Sequence, residues 1–203
     1  MSALASKTAK DHLKPMFIQT EPTPNPAVLK FLPGRELLAG GTREFRDEAE
    51  ARASPLAEAL FAIPGVVRVF FAGEYLTVSK SEDQDWSWLK APILAAIMDH
   101  FTTGQALLRD DEDEGHDAEV YEGATADVVA EIKELLDSRI RPAVAQDGGD
   151  ILFSKFEPDT GVLWLHMRGA CSGCPSSAAT LRSGVENMMR HYVPEVTRVE
   201  QTL

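Results

Sequence analysis

The residues with the strongest chemical signature are Cys171 and Cys174, the only two cysteines of the chain. They sit in Gly169-Ala170-Cys171-Ser172-Gly173-Cys174-Pro175-Ser176-Ser177. Two thiols this close can exchange with a disulfide, hold zinc, or hold an iron–sulfur cluster. The residues around them are small, which predicts sulfurs that nothing bulky shields. Pro175 suits the first turn of a helix, and the free N–H groups at a helix start favour negative charge. Thiolate is therefore favoured over thiol at Cys174. Metal binding and disulfide exchange both need thiolate, so the helix start does not choose between them.

Counting ligands narrows the field. Zinc and iron–sulfur clusters take about four protein ligands, and one chain supplies two thiols. His166 lies five positions before Cys171 on an expected strand and is a candidate third ligand. His12, His100, His116 and His191 have no spacing that converges on the pair. The simplest route to four sulfurs is two chains, each giving Cys171 and Cys174 across a two-fold axis. Such a site is expected to be exposed and its cargo releasable. The rival is a thiol–disulfide oxidoreductase, which shares the strand-thiols-helix order. The thioredoxin arrangement needs a larger mixed sheet than the roughly 80 residues around this pair predict.

The elements that must position the cysteines follow from the pattern. Val128, Ile132, Leu135, Leu136 and Ile140 recur at helical spacing, with Thr125 or Asp127 as cap and a kink or end at Pro142. Asp147-Gly148-Gly149-Asp150 is a turn. Ile151 to Phe156 and Val162 to Met167 read as a hairpin around Glu157-Pro158-Asp159-Thr160-Gly161, with Leu163, Leu165 and Met167 on one face. After Pro175, Ala178, Leu181, Val185, Met188 and Tyr192 form an apolar stripe, and Val196 to Val199 is a last strand. The expected order is α-β-β-α-β, a three-stranded sheet with helices on one face. Met188 and Met189 read as packing rather than copper ligands. The Gly148-Gly149 pair lacks the context of a phosphate loop.

The first half reads β-β-α-β-β-α. Met16 to Gln19 and Ala27 to Leu32 are strands, and Glu21 to Pro26, with three prolines, is a loop. Residues 40–53 show no period. Ser54-Pro55 starts a helix that Pro64-Gly65 ends, Val66 to Phe71 and Tyr75 to Ser79 form a hairpin, and Asp85 caps a helix that Gly104 closes. Of Trp86 and Trp88, one is expected to be exposed.

Composition bounds the rest. The chain has 203 residues and a net charge of −12, which argues against a nucleic-acid binder. No run of 18 apolar residues predicts a membrane span. Residues 104–122 carry eight carboxylates against Arg109 alone and read as a solvated acidic linker; their spacing does not match a calcium-binding loop. Residues 1–15 carry lysines but no apolar signal core, so they read as a disordered tail. The expected fold class is α+β: two small domains, each a small sheet packed with helices, joined by the acidic linker. Boundaries fall at 1–15 (tail), 16–103, 104–122 (linker) and 123–203.

These residues resemble a known family. Arg141-Pro142, Asp147-Gly148-Gly149-Asp150, the Gly169 to Ser177 motif and Thr180-Leu181 are similar to the C-terminal domain of NifU, the Nfu domain. Thr20 to Pro26 with Leu29-Lys30-Phe31 resembles the N-terminal domain that accompanies it in many Nfu proteins. The resemblance implies a non-enzymatic scaffold or carrier for iron–sulfur clusters. It also implies a [4Fe–4S] cluster bridging two subunits, held by Cys171 and Cys174 of each and passed to apo-proteins, with no catalytic residue. Implied partners are apo-protein clients, upstream cluster donors and a second copy of the chain when loaded, but neither nucleic acid nor membrane. The first domain has no cysteine and is expected to select clients or donors by contact. The expected location is bacterial cytoplasm, with the mitochondrial matrix as alternative.

Overall fold

In the computed structural model of the chain, residues 17–109, 121–172 and 175–202 are described. The proposed tail, the acidic run at 110–120 and Cys174 lie outside them. The first half contains β1 (Gln19–Pro22), β2 (Val28–Leu32), β3 (Arg43–Phe45), α1 (Glu48–Ala51), α2 (Pro55–Phe61), β4 (Val66–Phe71), β5 (Leu76–Lys80) and α3 (Trp86–Thr103). The second contains α4 (Gly123–Leu135), a π turn (Leu136–Ile140), α5 (Arg141–Gln146), β6 (Gly149–Glu157), β7 (Val162–Gly169), α6 (Pro175–Tyr192) and β8 (Arg198–Thr202). The α+β expectation holds: a five-stranded antiparallel sheet and a three-stranded sheet, each packed with helices.

The first sheet runs β1-β2-β5-β4-β3. Alternation along its strands makes two buried faces of different character. Leu29, Phe31, Phe45, Val69, Phe71, Leu76 and Val78 pack with Leu56 and Leu60 of α2 and Leu89, Ile93 and Ile97 of α3. Burying side chains of this size contributes roughly 1.5–3 kcal/mol each. The helix ends are sealed as the sequence predicts: Ser54 Oγ accepts from Ala57 N, Asp85 accepts from Ser87 N, and Gly104 takes φ +68°. The other face carries a row in register across all five strands: Glu21, Lys30, Thr77, Phe70 and Glu44. Lys30, Thr77 and Phe70 are buried because the second domain lies on them.

Four expectations are corrected here. β1 begins at Gln19 and continues through Glu21-Pro22 in place of the expected loop there. Pro22 is tolerated because β1 is an edge strand, where a missing N–H breaks no inner ladder. The stretch 40–53 is not irregular throughout. It holds β3 and α1, the latter capped by Asp47, whose carboxylate accepts from Ala49 N and Glu50 N. In the second domain neither Thr125 nor Asp127 caps α4, which starts at Gly123 with Glu122 before it. The last strand lies at Arg198–Thr202, slightly beyond Val196 to Val199.

The second sheet runs β6-β7-β8, with β7 antiparallel to β6 and parallel to β8. Its core gathers Ile132, Leu136, Ile140, Ile151, Leu163, Leu165, Met167, Val185 and Met189 under the helices. Leu181 and Val185 pack inward as expected, but towards the end of α6 Met189 is fully buried and Met188 only partly so, which moves the stripe there by one position. At Pro142 the helix does not end. It widens through the π turn, and Pro142 sits in the first turn of α5 immediately after it. The hairpin loop forms as expected; the expected turn at Asp147–Asp150 is shorter, because Gly148 turns the chain at φ +84° and Gly149 and Asp150 already pair in β6.

Candidate cluster-binding turn

Strand β7 ends at Gly169, whose φ of +64° swings the chain into the cysteine turn. The turn is held by backbone bonds from Ala170 N to Gly148 O (3.1 Å) and from Ser172 N to Gly169 O (3.1 Å). Cys171 is not the exposed thiol expected from its small neighbours; it is 5% exposed and belongs to the second domain's apolar core. Small neighbours let the sulfur sink inward as readily as they leave it open. Its Sγ lies against Gly149, where an added Cβ would stand 2.4 Å from the sulfur. Burial pushes the Cys171 thiol up to about 12, with Asp147, Asp150 and Glu44 adding to the effect. In this conformation Cys171 is a neutral thiol, neither nucleophile nor ligand. Cys174 lies outside the described residues.

The buried carboxylate of Asp150 fixes the floor of the turn. Arg141 donates to it in a fork, Nε to Oδ1 (2.8 Å) and Nη2 to Oδ2 (3.0 Å). Thr42 of the first domain donates to Oδ2 (2.8 Å), and Ile151 N to Oδ1 (2.9 Å). Arg141 also pairs with Asp137 one helical turn earlier (2.8 Å). The Arg141 and Asp150 positions of the resemblance are thus partners that tie α5 to β6 beneath the thiol.

The roof is supplied by the first domain, which sequence reasoning left without a role at the site. Glu44 Oε1 accepts from Gly169 N (2.9 Å), and Arg68 Nη1 donates to Ser172 Oγ (2.7 Å). Glu44 and Arg68 stand 3.5 Å apart, and the Glu44 side chain is almost fully buried. Tyr75 donates its hydroxyl to Gly149 O (3.1 Å), and Lys30 Nζ donates to Gln146 O (3.2 Å). Burial, with the charge of Asp150, pushes the Tyr75 phenol well above its ordinary range. Arg168 reaches back to Thr42 O (3.0 Å). The available signal was the strand alternation that sets Lys30, Glu44, Arg68, Phe70 and Thr77 opposite the helices. A polar row on a buried face implies a cover.

The histidines do not converge on the thiol. His166 faces Thr202 on β8, His100 packs on Phe101 in the first domain, and His191 packs on Tyr192. His12 and His116 lie outside the described residues. Among the described residues no group of three or more His, Cys, Asp or Glu is placed to hold a metal ion. The three-stranded second sheet is also smaller than a thioredoxin-type arrangement requires. No described helix is long and apolar enough to cross a membrane.

Comparison with known proteins agrees with this architecture. Residues 18–104 match the family described as scaffold protein Nfu/NifU N terminal, and residues 132–200 match the NifU-like domain. The chain is 50% identical over 186 residues to "NifU-like protein 4, mitochondrial" of Arabidopsis thaliana, covering 92% of this chain and 66% of that protein. It is 50% identical to "NifU-like protein 5, mitochondrial" of the same plant, covering 92% and 68%. It is 49% identical to "NFU1 iron-sulfur cluster scaffold homolog, mitochondrial" of Drosophila sechellia, covering 92% and 65%. The chain thus spans about two thirds of the length of these curated relatives. With both domain types in order and this identity along nearly all its length, the chain belongs to the Nfu family of NifU-like iron–sulfur scaffold proteins.

Proposed function

We propose that the chain is a carrier that holds a [4Fe–4S] cluster as cargo between two copies of itself and passes it to apo-proteins. Cys171 and Cys174 of each copy would supply the four thiolates. The observation that carries this reading is the match of residues 132–200, which contain both cysteines, to the NifU-like domain. One chain supplies two thiols where a cluster takes about four ligands, so two copies are needed. The family membership supports iron and sulfide as the cargo. The protein's part is ligation and release rather than turnover: client thiolates replace Cys171 and Cys174 one at a time. The names of the relatives place those proteins in mitochondria. A thiol-held cluster calls for a reducing compartment, which the mitochondrial matrix and the bacterial cytoplasm both provide.

Anaerobic reconstitution with iron and sulfide tests the reading. The expected result is broad absorption near ~400 nm and about two iron atoms per chain, with dimer formation on loading. Cys171→Ala and Cys174→Ala each abolish it. A colourless protein with iron far below about two per chain overturns the proposal. Disulfide-reducing activity without iron would favour an oxidoreductase instead.

A further inference from the structure

A cluster shared by two chains needs the Cys171 sulfur at a surface that a second chain can approach. In this structure the sulfur is buried, and the residues around it are gripped from the first domain. Glu44 holds the Gly169 amide, Arg68 holds the Ser172 hydroxyl, Tyr75 holds the Gly149 carbonyl, and the Phe70 ring stands against Gly169. Resting on the carrier reading above, we propose that the first domain is an intramolecular lid. Its sheet docks on the cysteine turn in the cluster-free chain and must lift before a second copy can complete the site.

Three observations carry this. The two apolar cores are separate: the first domain's lies wholly on the helix side of its sheet and shares no residue with the second domain's. Each domain keeps its own core when the two part. The docking face is largely polar, built from Lys30, Thr42, Glu44, Arg68, Tyr75 and Thr77 around the buried Phe70 ring. Water can replace such bonds on opening at little net cost, whereas a shared apolar core would resist separation. Finally, beside its contacts to Asp150 and to the end of α5, the grip falls on both sides of Cys171, at Gly169 and Ser172. The lid is therefore placed to hold the cysteine turn in its inward conformation.

Alkylation of the cluster-free full chain by iodoacetamide tests this. A Cys174→Ala background leaves Cys171 as the single reporter. Cys171 is expected to react at least ~100-fold more slowly in native buffer than in urea. Glu44→Ala with Arg68→Ala removes both partners of the grip and leaves no unpaired charge. It is expected to raise the native rate at least ~10-fold with an unchanged circular-dichroism spectrum. Tyr75→Phe, which deletes one hydroxyl and keeps the fold, gives a smaller rise in the same direction. A wild-type rate in Tyr75→Phe, or in a folded double variant, overturns the lid. So does a native chain that reacts as fast as the unfolded one. Reconstitution of the same variants with both cysteines present separates the two proposals. Faster alkylation without any cluster leaves the lid and removes the carrier; a cluster loaded at the wild-type rate in a folded double variant leaves the carrier and removes the lid.

Discussion

Cys171 changes character between sequence and structure. Its neighbours Ala170 and Ser172 suggest an open loop, yet the sulfur rests on Gly149 inside the core. The thiol therefore takes part in packing, and Cys171→Ala carries a small stability cost. Burial also sets a pH signature. The folded thiol is raised to about 12, above the value of 9.0 that it has when exposed. The stabilisation this represents is complete below pH 9 and is lost as pH rises toward the folded value, because only the unfolded chain releases the proton in that window. The slope from this one group is roughly 1.4 kcal/mol per pH unit. The raised Tyr75 phenol acts in the same direction at still higher pH. Urea midpoints should hold steady between pH 7 and 8 and fall between 9 and 10. In Cys171→Ala the fall should be shallower, and an identical slope would contradict the burial.

Among the elements, those with local punctuation were legible. Ser54-Pro55, Asp85 and Gly104 mark helix ends by chemistry that does not depend on the rest of the fold, and α2 and α3 lie where those residues put them. β3 and α1 were not legible. Three and four residues are too few to show a period, and both are held by partners elsewhere, as Phe45 is by Phe71 on β4. The polar row of the first sheet was readable as alternation, but its cover lies more than 70 positions away, and no local pattern reports it. The π turn is similar. Pro142 predicts an interruption, and only the structure shows that the helix resumes and carries Arg141 to Asp150. That pair gives an element-level prediction. Arg141→Gln leaves the buried carboxylate with only Thr42 and the Ile151 amide. Because Arg141 is itself partly exposed, the loss should be about 2–3 kcal/mol, below that for a fully buried pair. Adding Asp150→Asn should restore part of it in urea denaturation. A loss under 0.5 kcal/mol would show that the pair does not hold α5 to β6.

For the molecule as a whole, the two family regions match along the chain as the sequence suggested, but their contact could not be read from it. The described segments bordering the acidic run are both anchored. Leu107 and Leu108 pack on the first core, and Arg109 pairs with Glu58 (2.5 Å), so the chain returns to the first domain before the acidic run begins. On the far side the Tyr121 hydroxyl accepts from Phe156 N (2.9 Å), and its ring packs against Phe153. Eleven residues, 110–120, join these anchors, and their contour is at most about 40 Å. A lifted first domain thus stays near its own cysteine turn at an effective concentration on the order of millimolar. Closing is unimolecular and indifferent to dilution, whereas bridging two chains is second order. At fixed iron and sulfide per chain, the loaded fraction should rise with protein concentration, and Glu44→Ala with Arg68→Ala should move that rise to lower concentration. Equal loading across a hundred-fold dilution would contradict this competition. On the proposed lid and carrier reading, the covalent connection between two anchored ends would make the abundance of the protein itself the variable that decides whether a chain keeps its thiol covered or shares a cluster with a neighbour.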